Sequence, residues 1–349
     1  MFSLLNLLFE PIMRMFGATA ELMPVVAEYA KPFVYASGLF MLSTFMQAFV
    51  RNDKAPKTAM AGVITGGVLN IILDYVFVFP LKMGMFGAAL ASVIGTAVSD
   101  VIFISHFFTK SNNLKLEFHM FDDSAVSKLA ELFKRLWQIV RTGFASFMIE
   151  LSNGIVVWLF NLALLSIVGN SSGVTAYGIL SNSAVIILSL SNGIAQAAQP
   201  IVSTNFGAGN KKKISDVIKI ASVCSLVLGA AAALSGQLFP EAIIFAFVNA
   251  SPEVERLALP AVRIYFLSFL IMPLNILASG CFQSTMNSGK AFLVTGLRGF
   301  VLCIALLAVL PMLFGVNGVW AVMPLTELLT LFVSAVLIKK SGLLKSKEN

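Results

Sequence analysis

The sequence predicts an all-α polytopic membrane protein with two pseudo-symmetric helical lobes, and three observations predict it. Hydrophobic residues make up 58% of the 349 and charged ones only 12%, with a mean hydropathy of +0.89; a soluble domain carries about 25% charged residues. The apolar content comes in repeated runs of roughly 18 residues or more, enough for a helix rising 1.5 Å per residue to cross the ~30 Å hydrocarbon core. Two distant stretches, near residues 45 and 281, also resemble each other. The 25 Gly, 30 Phe and 15 Met suit close-packed membrane helices. Disorder, a secreted disulfide scaffold and a nucleic-acid role fit poorly.

Apolar runs between polar breaks predict ten helices, at about 1–17, 32–50, 57–80, 86–108, 140–168, 174–206, 214–239, 258–284, 291–314 and 318–338. The net charge of +7 gains its meaning from where the 24 Lys and Arg fall. Nineteen lie in alternate polar segments, among them Arg51, Lys110, Lys211, Lys290, Arg298 and Lys339, and five on the other side: Arg14, Lys31, Lys82, Arg256 and Arg263. The positive-inside rule then puts the basic side and both termini in the cytoplasm of a multi-pass plasma-membrane protein. From Lys110 to Trp137 runs the longest connection, whose second half sets Val126, Leu129, Phe133 and Leu136 against Lys128, Glu131, Lys134 and Arg135. That pattern predicts an amphipathic helix in the interface. The expected organisation is therefore 1–110 as a first lobe, 111–139 as a linker, 140–340 as a second lobe and 341–349 as a cytoplasmic tail.

Cys224, Cys281 and Cys303 are isolated in apolar runs with no C-x-x-C pair, which reads as small core residues. No basic n-region or small-residue cleavage site marks a signal peptide. The sequence also lacks G-x-x-x-x-G-K-[ST], H-E-x-x-H and G-x-S-x-G, so neither an enzyme nor bound ATP is expected, and no cofactor beyond a possible coupling ion.

The internal repeat aligns Phe45–Ala55 with Cys281–Ala291, placing Gln47 on Gln283 and Lys54 on Lys290 at an offset of 236; Gly84–Gly87 meets Gly315–Gly318 at 231. Both matches sit at helix ends of the same orientation, as in parallel repeats about an axis along the membrane normal. If the second half begins near residue 140, a complete first half would begin about 95 residues before this chain does, leaving out roughly two helices and part of a third.

Three further runs carry a family resemblance: Arg51-Asn52-Asp53-Lys54-Ala55-Pro56-Lys57-Thr58-Ala59-Met60, Leu69-Asn70-Ile71-Ile72-Leu73-Asp74 and Gly84-Met85-Phe86-Gly87-Ala88-Ala89-Leu90-Ala91-Ser92. With Ala176-Tyr177-Gly178-Ile179, Gly193 through Ile201 and Asn205-Phe206-Gly207-Ala208-Gly209, they resemble the multidrug and toxic compound extrusion (MATE) family collinearly over nearly the whole chain. The resemblance implies a twelve-helix, two-lobe fold of which this chain would be helices three to twelve. It implies export of small amphipathic, often cationic, organic compounds in exchange for Na⁺ or H⁺, by a monomer in the lipid bilayer. It also implies that the acidic residue of the family's first helix is missing, so either the true start lies upstream or the gene is truncated and its product is expected to be impaired.

Ionisable groups at bilayer depth cost several kcal/mol unless they face a cavity or partner, which singles out Asp74, Asp100, Glu150 and Glu327. Asn70 and Asp74 are four residues apart and share a helix face, able to offer oxygens to Na⁺ or to tune a proton-binding carboxylate. By the resemblance this pair joins a hydroxyl on the next helix, here Ser92, in a first-lobe cation site. Glu150 matches an acidic position used by some family members, but their acidic partner on the tenth helix has no equivalent near Gln283. Asp100 is expected to reach water near the cytoplasmic end. Gln47, Gln283, Gln196, Gln199 and Tyr177 are candidate substrate contacts, and Pro200 a hinge in a long helix. No metal is expected beyond Na⁺ at Asn70 and Asp74, and His106 and His119 have no metal-ligand spacing around them. Two other readings stay open: a lipid-linked oligosaccharide flippase, which should favour mid-membrane cations, and a non-transporting membrane protein fragment.

Overall fold

The computed structural model describes residues 9–11, 13–14, 23–53, 55–109, 112 and 125–341. Among them every regular element is a helix, as the continuous apolar runs dictate. In lipid each backbone amide must be satisfied within its own segment. The chain divides into two compact units, Met1–Asp123 and Ser124–Asn349.

The first unit begins with α1 (Met23–Tyr35) and α2 (Ser37–Asn52), one apolar stretch bent by 51° between them. The sequence predicts a single helix starting at 32. The backbone is helical from Met23, with Pro32 inside α1 and the break at Ala36. Next come α3 (Pro56–Val78), which opens on a proline whose missing amide costs nothing at a helix start, and α4 (Gly84–Ser105), extended by a 3-10 turn at His106–Phe108. The α3 and α4 helices pack along their full length because their facing positions are small. A Cβ on Gly66 would collide with Ser99 Oγ and come within 2.5 Å of the Gly95 carbonyl oxygen. The Ser99 hydroxyl donates to the Gly62 carbonyl across the same contact (2.9 Å).

In the second unit α5 (Ala125–Val168) is one unbroken helix of 44 residues that joins the amphipathic stretch to the predicted 140–168 span. It is followed by α6 (Ser172–Gly207), α7 (Lys211–Leu238), the short α8 (Pro240–Phe247), α9 (Pro252–Ser284) and α10 (Ser288–Gly296). A π turn at Leu297–Val301 leads into α11 (Leu302–Ser341). Asn210 caps α7 by accepting from the Lys213 amide (3.1 Å), and Ser251 precedes α9 with Pro252 and Glu253 in its first turn. The α9 helix is the hub, packed against α6, α7 and α11. Trp320, Phe160, Phe269, Tyr265 and Tyr177 form its main apolar core.

At Gly315, α11 takes φ 57° and ψ −137°, a conformation open to glycine alone. There the chain doubles back: Gly318 abuts the Leu310 carbonyl, and Cys303 Sγ lies 3.9 Å from Met323 Sδ. The apolar stretch from Ser288 to Ser341 is thus two spans, on either side of the break between the predicted 291–314 and 318–338 helices. Taking Ser288–Ser341 as one stretch, six helices are long and apolar enough to cross a bilayer among the described residues, or seven if the bent α1–α2 pair is one span.

Candidate functional site

The i, i+4 series Gly62, Gly66, Asn70, Asp74 lines one face of α3. Antiparallel α4 answers it in reverse order: Phe103 at Gly62, Ser99 and Gly95 at Gly66, Ser92 at Asn70. The glycine pair lets the backbones approach. One turn farther, the Asn70 amide donates to Ser92 Oγ at 3.1 Å, and Ser92 in turn donates to the Ala88 carbonyl (3.3 Å). Asp74 follows on the next turn, and its buried Oδ1 has no hydrogen-bond partner among the described residues. A buried carboxylate oxygen left unpaired carries a desolvation cost that a bound cation or proton would relieve.

Beside this ladder α2 contributes a third wall to an open cavity of about 290 Å³. Ser43, Gln47, Asn70, Ser92, Thr96 and Ser99 supply its polar lining. Gln47 therefore shares a cavity with the Asn70–Ser92 pair, whereas Gln283 lies elsewhere, opposite Gln199 at a long 3.4 Å. Asp100, expected to reach water, is instead only 3% exposed. It sits beside Ser43, yet neither oxygen meets a partner in good hydrogen-bonding geometry. At the end of the unit His106 Nε2 lies 2.8 Å from Asp53 Oδ2, both buried, tying the end of α2 to the end of α4.

The second unit holds a different constellation. Glu327, fully buried on α11, takes Arg298 Nε on one oxygen (2.5 Å) and the Asn275 amide on the other (2.7 Å). Asn275 also donates to the Glu327 carbonyl and accepts from Ser334. Arg298, counted on sequence among the residues of a cytoplasmic loop, belongs to the π turn inside a span. The extra residue of such a turn shifts the helical register locally. The four acids singled out on sequence at bilayer depth are thus joined there by a cation. The signal was an arginine ten residues into an apolar helix, which demands a buried partner.

The remaining sequence-predicted residues fall as follows. Tyr177 is 5% exposed and stacked on Phe160 at 4.9 Å in the core. Gln196 and Pro200 lie exposed on α6. Glu150 is on α5, but its side chain lies outside the described residues, as does the polar face of the amphipathic stretch; His119 and the predicted 341–349 tail beyond Ser341 are outside them entirely.

The helix ends also fix the register of the internal repeat. Asn52 and Ser284 end α2 and α9, Pro56 and Ser288 begin α3 and α10: an offset of 232 in both cases. Gly84 and Gly315, both at φ 57°, differ by 231. The offset of 236 read from Gln47 and Gln283 is replaced by 232 through Gly66 and 231 from Gly84 onward, which places Ser43 on Asn275, Gly66 on Arg298 and Thr96 on Glu327. Three positions that surround the cavity of the first unit are thus the three that hold the ion pair of the second.

The MatE family model matches residues 151–309. Multidrug export protein MepA of Staphylococcus saprophyticus is 26% identical over 315 residues, 90% of this chain and 67% of that protein. Among solved structures, the outward-facing conformation of a multidrug resistance MATE family transporter of the MOP superfamily superposes with a TM-score of 0.82 at 20% identity, over 97% of this chain and 74% of that one. A MOP superfamily transporter from Pyrococcus furiosus, described as having a binding pocket of reverse polarity, gives 0.83 at 20% identity over 96% and 74%. With the helical two-unit fold and the apolar spans, these likenesses lead to one conclusion: the chain is a multi-pass membrane protein with the fold of MATE transporters, and its residues 151–309 match the MatE family.

Proposed function

We propose that this protein exports small amphipathic organic cations across the plasma membrane in exchange for Na⁺ or H⁺, with the coupling cation held in the first unit by Asp74, Asn70 and Ser92. The observation that carries the reading is the polar cavity beside Asn70 and Ser92, with an unpartnered buried oxygen of Asp74 one turn away. Oxygen donors suit a hard cation, and an ionised carboxylate oxygen with no donor beside it can take up a proton instead. Gln47 in the cavity offers an amide to a substrate or to the ion's hydration shell. The basic segments favour cytoplasmic termini, and a repeat within one chain supports a monomer.

The name of the staphylococcal relative, a multidrug export protein, supports the substrate class. An oligosaccharide flippase is less favoured, because the intramembrane Arg298 is already neutralised by Glu327 and so presents no free cation to an anionic head group. The test is efflux of ethidium from a pump-deficient bacterium expressing the protein from its own gene. Asp74→Asn, nearly isosteric but unable to change charge, is expected to lower efflux at least about tenfold with normal membrane levels. Undiminished efflux would remove Asp74 from coupling.

A further inference from the structure

Outside the cavity and the ion pair, the second unit has a groove of about 460 Å³ whose floor is α9 and whose walls are α7 and α11. Leu274 and Leu277 form its floor, Ile218 one wall, Leu331 and Ile338 the other, and Lys339 stands at one end. From Leu331 to Lys339 the groove follows eight residues of α11, about 12 Å at 1.5 Å per residue. That is most of the ~15 Å half-thickness of the hydrocarbon core. The charge at its mouth is lopsided. Ile214 and Ile218 of α7 pack in one cluster with Leu337 and Ile338 of α11, so the first turn of α7 and the last turn of α11 share an end. Lys211, Lys212 and Lys213 open α7, Lys219 follows Ile218, and Lys339 and Lys340 close α11, all exposed, against a single exposed acid, Asp216, on these turns among the described residues. Lys211, seven residues before Ile218, lies on the helix face that lines the groove.

An apolar slot about one leaflet deep with a basic rim matches one kind of ligand by shape and charge. We propose that this groove binds an anionic phospholipid, its acyl chain over Leu277 between Ile218 and Ile338 and its phosphate held by Lys339 and the lysines at the start of α7. A zwitterionic lipid would fill the slot equally well but gain less at the rim, since each lysine at a membrane surface favours anionic head groups. A cationic drug would meet the same lysines as repulsion.

The experiment is lipid binding to the purified full chain, read by native mass spectrometry and by thermal melting in detergent with added phosphatidylglycerol or phosphatidylcholine. The wild type is expected to retain phosphatidylglycerol and to melt at a higher temperature with it than with phosphatidylcholine. Lys339→Glu should weaken phosphatidylglycerol binding about tenfold or more and leave phosphatidylcholine unchanged. Ala335→Trp, at an exposed groove position, should expel both lipids. Inorganic phosphate and ethidium should compete for neither. Equal binding of the two lipids by the wild type, or unchanged phosphatidylglycerol binding in both variants, would overturn the proposal. So would displacement of the lipid by phosphate, which would make it a simple anion site, or by ethidium, which would make the groove a drug path.

Discussion

Asp74 and Asn70 depend on a residue that carries no chemistry. Gly66 brings α3 against α4, and without that approach the Asn70 amide would not stand 3.1 Å from Ser92. A side chain there has nowhere to go, because Ser99 on one side and the Gly95 carbonyl on the other already fill the space. Gly66→Val is therefore expected to lower stability by about 1–3 kcal/mol through overpacking and to reduce transport together with the melting temperature. Asp74→Asn should leave melting nearly unchanged while transport is lost. Measuring melting temperature and efflux for both variants separates the two roles, and a fall in melting temperature with Asp74→Asn equal to that of Gly66→Val would contradict the distinction. Asp74 was legible in the sequence because an acid in an apolar run is conspicuous. Gly66 was not, because one glycine among 25 reveals a close approach only when the opposing helix is in place.

The hairpin from α10 through the π turn to α11 is the element on which the second unit turns. Gly315 reverses the chain, and the two arms meet at Arg298 and Glu327, 29 residues apart. That separation explains why the pair escaped detection on sequence: each residue was visible, but only the reversal at Gly315 sets them side by side. Arg298→Ala would leave Glu327 and Asn275 with a buried charge and no cation, an outcome worth about 3–5 kcal/mol of destabilisation. Replacing both members, Arg298→Met with Glu327→Met, should recover most of that loss, since apolar pairs of similar volume often match a buried ion pair. Melting temperatures of the single and double variants decide the matter. A double variant no more stable than Arg298→Ala would mean that the pair contributes specific geometry that packing cannot replace.

Over the whole molecule, the spans were legible wherever an apolar run had polar ends, as for α3, α4 and α6. Where a run continued past a bend, as at Ala36, or an amphipathic stretch merged into a span, as in α5, composition alone could not locate the joint. The repeat was legible in kind but not in register: matching glutamines gave 236, and the helix ends give 232. In the corrected register a cavity in the first unit corresponds to an arginine–glutamate pair in the second, so of these two equivalent places the first has the unfilled space, where we propose that the coupling ion is held. The direct test of that claim is substrate flux in proteoliposomes under an imposed Na⁺ or H⁺ gradient, wild type beside Asp74→Asn. The account predicts uptake that follows one of the two gradients and vanishes in the variant although the variant still binds substrate. Flux that persists in the wild type with both gradients collapsed would contradict it.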